Sequence, residues 1–237
     1  MDDQTTPLPP AGVPADTGAA PPPAAPATTK HSPSPYRAIR EIVETVLLAL
    51  VIYLGVRTVI LPYEVEGASM SPNLTNHERL MVNRMAYAHY DTNSLWNFLP
   101  WEDREGEHVV YPFGKPERGD IIVFNPPTSS DKPYVKRVIG LPGETIAFHD
   151  GYVSVNGVLL DESYIDGPIT GCERPRHRFC DVTVPAGHVF VLGDNRDNSS
   201  DSRDFGVVGV DAIIGEAVFT NWPLDAIGPL PDVDYDE

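Results

Sequence analysis

Apolar positions form one long run near the start of the chain. From Ile42 to Leu61 they surround the whole circumference of a predicted helix, and charged side chains occur only near its ends, at Glu44 and Arg57. About 20 residues of this kind are enough to cross the hydrocarbon core of a bilayer. We therefore predict a transmembrane anchor helix over residues 36–62. The alternative is a helix buried in a soluble protein, because the uncharged centre of the run is short.

Beyond this run the pattern changes to short apolar segments separated by turn signals, with no long amphipathic helix between them. This alternation predicts a mainly β fold with an antiparallel β-sheet in residues 63–237. The motifs HDGY and VNGV are typical of two-residue hairpin turns. Residues 88–118 have weak periodicity, and we interpret them as an insertion. The strand-like segments are RLMVNRMAY, DIIVFNPP, YVKRVIGLPGETIAFHDGYVSVNGVLL, DVTVPAGHVFVLGD and AIIGEAVFTNWPL.

The composition of the N-terminal part predicts a disordered leader and the orientation of the anchor in the membrane. Residues 1–35 are rich in Pro, Ala and Thr and almost free of large apolar side chains, which predicts a disordered segment. Lys30, Arg37 and Arg40 precede the apolar run, so the positive-inside rule places the N-terminus in the cytoplasm and exports the chain beyond Pro62. A cleaved secretory signal is the alternative, although no clear A-x-A site lies behind the run. The net charge of −17 argues against nucleic acid as a partner.

The two cysteines, Cys172 and Cys180, lie in the stretch GCERPRHRFC. Their spacing is too wide for a CxxC redox motif, and no second pair completes a zinc site. They are candidates for a disulfide that closes a polar loop in an oxidising compartment, with free thiols as the alternative. No metal site is predicted from this pattern.

A candidate nucleophile, Ser69, lies beyond the apolar run in the stretch VEGASMSPNL. A serine attacks well only when a base lies within hydrogen-bond reach. None of the seven histidines lies in a stretch that indicates a Ser-His-Asp triad. Of the lysines, only Lys136 lies in an apolar strand, where burial would lower its pKa and let it act as the base. The alternative is an exposed lysine on an edge strand.

The segment LGDNRDNSSDSRDFG, residues 192–206, is dense in turn-forming polar side chains. Asp201 and Arg203 can form a bidentate ion pair that fixes the loop. Ser199 and Ser202 are candidates to hold a lysine ammonium or a hydroxyl in place. A purely structural polar turn is the alternative, and a calcium site is disfavoured because the EF-hand spacing is missing.

Together these stretches resemble bacterial type I signal peptidases, the membrane-anchored Ser-Lys proteases that remove signal peptides. The family's nucleophile box, S-M-x-P-T-L, is matched by SMSPNL, and its general-base box, K-R-V-x-G-x-P-G, by KRVIGLPG. A third box, G-D-N-R-x-x-S-x-D-S-R, is matched by GDNRDNSSDSR, and IIGEAVFTNWPL is similar to the final strand. The resemblance covers Glu41 to Gly228, and three ordered boxes behind one anchor make it specific.

The resemblance implies a role for each matching residue. Ser69 would be the nucleophile and Lys136 the general base. Ser199 would orient the lysine amine, while Asp201 and Arg203 would brace the loop.

The resemblance also implies a substrate cleft and an oxyanion hole. Met70 and Pro72 would shape the cleft, and the backbone N–H of Ser69 would donate to the oxyanion. Some members complete the hole with a Ser two residues before the nucleophile. Here Gly67 takes that position, which leaves a backbone N–H or a water as the second donor. A further departure is Asn73 in place of the usual Thr, which we expect to alter local bonding rather than chemistry.

For the whole protein the resemblance implies cleavage after small residues of the A-x-A type, without a cofactor. The implied partners are preproteins with signal peptides, the lipid bilayer and the secretion translocon. The protein would cross the plasma (inner) membrane once, with its catalytic domain outside and an apolar surface touching the outer leaflet. GCERPRHRFC resembles a disulfide hairpin found in some members. Two other classes stay open: another Ser-Lys processing or self-cleaving protease, and a single-pass envelope binding module without catalysis.

Overall fold

The computed structural model describes residues 35–91, 109–165, 171–172, 175–231, 233 and 235. The leader predicted over residues 1–35 lies outside this described part except for its last residue, and so does the centre of the predicted insertion, residues 92–108.

Helix α1 spans Pro35–Val59, and it is long and apolar enough to cross a membrane. The predicted anchor helix, residues 36–62, extends too far at its C-terminal end, because strand β1, Ile60–Glu64, begins directly after the helix. Pro62 gives the physical reason: proline has no N–H to donate and disfavours helical geometry in the residue before it.

The β domain consists of short strands whose pairs are antiparallel throughout the described residues. After β1 the strands are β2 Arg79–Asn83, β3 Tyr90–Asp91, β4 Val109–Val110, β5 Ile121–Phe124, β6 Tyr134–Gly140, β7 Thr145–His149, β8 Tyr152–Val155, β9 Val158–Leu159, β10 Val182–Thr183, β11 His188–Leu192, β12 Val208–Gly209, β13 Ile213–Trp222 and β14 Gly228–Pro229. The main sheet has the order β1-β2-β13-β5-β6-β11-β12, with β14 paired to β13. A second sheet has the order β10-β7-β8-β9, and β3 pairs with β4 inside the predicted insertion. The predicted antiparallel, mainly β fold is thus confirmed.

Two tight hairpins set the register of the second sheet. Asp150 and Gly151 both have positive φ between β7 and β8, and Asn156 and Gly157 repeat this between β8 and β9. Two consecutive positive φ values are the requirement of a type I′ turn, which Asp-Gly and Asn-Gly meet with little strain. The two turns predicted from HDGY and VNGV are therefore present.

Strands β5 and β6 lie in the middle of the main sheet. All four residues of β5 are buried, Ile122 and Phe124 in one apolar cluster, Ile121 and Val123 in another. Because successive side chains of a strand point to opposite faces, the sheet has an apolar core on each side here. Lys136 lies in β6 between β5 and β11, which excludes the edge-strand alternative.

Candidate active site

Ser69 lies in a tight turn between β1 and β2. Within this turn the N–H of Ser71 donates to the Ala68 carbonyl, and the N–H of Leu74 donates to that of Met70 at 2.9 Å. Gly67 has a φ of 95°, a conformation that glycine adopts with little strain. The turn places Ser69 in the wall of a cleft.

Lys136 reaches Ser69 from strand β6. Its Nζ lies 2.7 Å from Ser69 Oγ and 2.8 Å from the carbonyl oxygen of Val135. Only 3% of the lysine is exposed. Burial lowers the pKa of Lys136 to about 8, against the opposing effect of the Asp201 and Asp194 charges. A base with this pKa is neutral in a useful fraction of molecules near neutral pH and can accept the proton of a hydroxyl.

The described histidines offer no rival base. His77 and His89 are hydrogen-bonded to carboxylates elsewhere in the domain. Within the part of the chain that the structure describes, Lys136 is the titratable side chain that bonds Ser69 Oγ. The geometry is therefore that of a Ser-Lys pair rather than of a Ser-His-Asp triad.

A buried bidentate ion pair holds the third box. Arg203 donates through Nε to Asp201 Oδ1 at 2.9 Å and through Nη2 to Oδ2 at 2.8 Å. Burial alone would raise the pKa of Asp201, but the hydrogen bond and charge of Arg203 outweigh it and hold that pKa below its ordinary value. Asp201 also accepts the N–H of Gly193 at 3.2 Å. This carboxylate thus joins the end of β11 to the short helix α2, Ser202–Phe205.

Neither of the two serines that are candidates to hold the lysine amine hydrogen-bonds it in the structure. Ser199 is 1% exposed, but its hydroxyl does not hydrogen-bond the Lys136 amine in the structure. Ser202 Oγ accepts the N–H of Val191 at 2.9 Å, so it is bound to the backbone of β11 and not to the lysine. The amine of Lys136 donates instead to the carbonyl of Val135, the residue before it in the same strand.

A buried network ties the three boxes together, and the sequence reasoning missed it. Arg137 donates to both carboxylate oxygens of Asp194, at 3.0 and 2.9 Å, and neither side chain is exposed. Asn73 Nδ2 donates to the same carboxylate at 2.9 Å and to the carbonyl of Tyr164 at 3.0 Å. One signal was available in the sequence: an arginine inside an apolar strand needs a buried acid as its partner.

Two backbone N–H groups near Ser69 are candidate oxyanion donors, and their hydrogen bonds distinguish them. The N–H of Gly67 donates to Asn76 Oδ1 at 2.7 Å, which removes Gly67 from the candidates because its donor is already engaged. The N–H of Ser69 donates to no protein group in the described residues. The N–H of Ser69 can therefore donate a hydrogen bond to a substrate carbonyl oxygen.

Comparison with known proteins adds independent information. A family model described as signal peptidase, peptidase S26, matches residues 39–222. The signal peptidase I of Leptolyngbya laminosa is 36% identical over 236 residues, which cover 96% of this chain and 95% of that protein. The signal peptidase I of Bacillus caldolyticus is 38% identical, covering 68% and 79%, and the probable signal peptidase I-1 of Synechocystis sp. is 35% identical, covering 84% and 90%. The chain belongs to the signal peptidase family.

Family membership makes the chain a serine endopeptidase that removes signal peptides from preproteins. This function decides against the two alternatives that the sequence left open, the binding module and the self-cleaving protease. Together with the apolar helix α1, membership also supports anchoring in a membrane.

The cleft beside Ser69 in this signal peptidase has a volume of about 490 Å³. Residues 63–66 form one wall and residues 133–136 the other. Met70 is fully buried in the core, and Pro72 is not among the residues that line the cleft. Neither residue lines the cleft wall, and their role in shaping the cleft stays a prediction.

Cys172 and Cys180 form a disulfide, with their Cα atoms 5.8 Å apart. Arg176, which lies between them in the chain, contacts the third box: its Nη2 donates to the carbonyl of Ser199 at 2.9 Å. The disulfide thus restrains a segment that supports the loop behind Lys136.

Proposed function

We propose that this signal peptidase cuts its substrates through a Ser-Lys dyad formed by Ser69 and Lys136. The observation that carries the proposal is the 2.7 Å distance between Lys136 Nζ and Ser69 Oγ, at an amine that is almost fully buried. Burial disfavours the charged form of an amine, so the neutral form that a general base requires becomes accessible. An exposed lysine, with a pKa of about 10.4, would hold its proton at neutral pH.

Each half of the reaction uses the same proton carrier. Neutral Lys136 takes the proton of Ser69 as Oγ attacks the scissile carbonyl carbon. The ammonium then gives this proton to the leaving amine as the tetrahedral intermediate collapses to an acyl-enzyme. A water attacks the ester next, with Lys136 accepting its proton and returning it to Ser69 Oγ. The N–H of Ser69 donates to the oxyanion in both tetrahedral intermediates.

The groups around the amine have supporting roles in this proposal. The carbonyl of Val135 points the amine of Lys136 at Ser69, as its 2.8 Å bond to Nζ supports. The pair formed by Asp201 and Arg203 braces the loop that closes the site from behind, which their complete burial supports.

The proposed substrates bind as extended strands and are cut after small residues of the A-x-A type. Strand β1 is an edge strand of the main sheet, and its last residues continue into one wall of the cleft. An edge strand offers unpaired backbone groups to which an extended peptide can pair. A cleft of about 490 Å³ shared by several side chains of such a peptide favours small ones beside Ser69.

The proposed location is the bacterial plasma membrane, crossed once, with the N-terminus in the cytoplasm and residues 63–237 outside. The disulfide between Cys172 and Cys180 supports this orientation, because disulfides persist in oxidising compartments. Trp222 and Leu224, which are large, apolar and exposed, support contact with the outer leaflet. Substrates delivered by the translocon are confined to the same membrane, which raises their effective concentration.

Cleavage of a preprotein with an A-x-A site by the purified full-length protein tests the mechanism. Ser69→Ala and Lys136→Ala should each lower the rate by a factor of at least about 10³, because a nucleophile and its base act as one unit. Ser71→Ala and Lys115→Ala are matched controls that leave the dyad intact and should keep the activity. Normal cleavage by either dyad variant would disprove the proposed mechanism.

A further inference from the structure

Asn195 bonds the backbone on both sides of Ser69. Its side-chain Nδ2 donates to the carbonyl of Ala68 at 2.9 Å, and its backbone N–H donates to the carbonyl of Ser69 at 3.0 Å. Its Oδ1 accepts the N–H of Asn198 at 3.2 Å and so caps a 3₁₀ turn, Arg196–Asn198. Because both ends of the amide group are engaged, its orientation is fixed.

The bond to Ala68 helps to set the direction of the Ser69 N–H, together with the longer bond of 3.3 Å that the Ser71 N–H donates to the same carbonyl. The peptide between Ala68 and Ser69 is trans, so its C=O and N–H lie in one plane and point in opposite directions. A carbonyl held toward Asn195 therefore turns the Ser69 N–H away from Asn195. Gly67 cannot substitute for this donor, since its own N–H is bound to Asn76.

We propose that Asn195 is a positioning residue of the oxyanion hole. It does not touch the substrate. By holding the Ala68 carbonyl it aims the Ser69 N–H at the oxygen on which negative charge develops. Such a donor stabilises the transition state only when its direction is set before the charge appears. The inference rests on the Ser-Lys mechanism proposed above and adds a residue to it.

Two variants of Asn195 distinguish its positioning role from its structural role in the folding of the loop. Asn195→Asp keeps the cap on Asn198, because Asp and Asn are equally good N-cap residues, but it replaces the donor to Ala68 with an acceptor. Asn195→Ser keeps a capping oxygen and removes the amide without adding a charge. Both leave the backbone bond to the Ser69 carbonyl in place. Asn198→Asp, on an exposed side chain of the same turn, is the matched control for the added charge.

Two ligands with the substrate sequence give the readout. A peptide aldehyde forms a hemiacetal: Ser69 Oγ bonds to the carbonyl carbon, the carbon–oxygen π bond opens, and the Ser69 proton passes to Lys136. Its oxygen then occupies the oxyanion hole, whereas the matching peptide alcohol fills the cleft without forming a bond. In the full-length protein both Asn195 variants should bind the aldehyde about 10- to 100-fold more weakly, with a similar fall in kcat. Binding of the alcohol and KM should change little, and Asn198→Asp should behave as the wild type.

Equal losses for aldehyde and alcohol would mean that Asn195 shapes the whole cleft, and unchanged aldehyde affinity in Asn195→Ser would mean that it has no role in the hole. Either result overturns the proposal. The midpoint of thermal unfolding, measured on the same samples, identifies a misfolded variant, in which case the other Asn195 variant decides. A wild-type protein that binds neither ligand and cuts no preprotein would instead contradict the Ser-Lys mechanism.

Discussion

The ionisation of Lys136 is governed by burial more than by its charged neighbours. Asp201 and Asp194 act to raise the pKa of the amine, but each is paired with an arginine, Arg203 and Arg137 respectively. Desolvation outweighs the two negative charges and lowers the pKa to about 8.

This pKa predicts how activity depends on pH. In the proposed mechanism only neutral Lys136 accepts the proton of Ser69, so kcat/KM should rise about tenfold per pH unit below pH 8 and level off above it. The midpoint should lie near the lysine pKa of about 8. A peptide substrate without titrating side chains, measured from about pH 6 to 10, checks this because kcat/KM reports the ionisation of the free enzyme. A rate independent of pH between about 6 and 9 would contradict a lysine base in that window.

The motif position of Asn73 can be read from the sequence, but its hydrogen-bond partners cannot. Its place in the nucleophile box predicts altered local bonding, but its partners, Tyr164 and Asp194, lie 91 and 121 residues further along the chain. No local pattern specifies contacts over such separations. The same holds for Asn195 and Asn76, whose types suit polar turns in general.

Among the elements, the end of β11 and the Ser69 turn approach each other at Gly193. A Cβ at this position would lie 2.3 Å from Ser199 Oγ and 2.4 Å from the Ser69 carbonyl oxygen. Gly193→Ala should therefore force the two apart, at a cost of about 1–3 kcal/mol in the free energy of unfolding. It should also lower kcat by about 100-fold, the effect of moving a catalytic group by about 1 Å.

Thermal unfolding and preprotein cleavage measure the two effects of Gly193→Ala separately. Gly228→Ala is the matched control, because a Cβ there would meet nothing within 4 Å. A Gly193→Ala protein as stable and active as the control would show that the turn and the strand separate without consequence.

The positions of the strands follow from the sequence because alternation is a local property. The end of α1 follows only in part, because apolar residues continue from Val59 into β1: Pro62 disfavours further helix, and pairing with β2 makes these residues a strand. The burial of Met70 and the missing bond between Ser199 and Lys136 depend likewise on how elements pack, which periodicity does not encode.

For the whole molecule, the proposed orientation predicts a pattern of protease sensitivity. In right-side-out spheroplasts that carry the full-length protein with a tag at each end, external protease should remove the C-terminal tag and spare the N-terminal one. The reason is that α1 would cross the bilayer with its basic end inside. Inverted vesicles should give the opposite pattern. A C-terminal tag protected in intact spheroplasts would contradict the orientation.

The hydrogen bonds that assemble the site join distant parts of the chain. Lys136 and Ser69 are 67 residues apart, and Asn195 and Ala68 are 127 apart. Contacts of this kind form only after long loops have closed, which places them late in folding. In the proposed mechanism, a chain still unfolded beside the membrane therefore has neither an activated hydroxyl nor an aimed oxyanion donor. The proposed proteolytic activity would therefore begin only when the chain has folded completely.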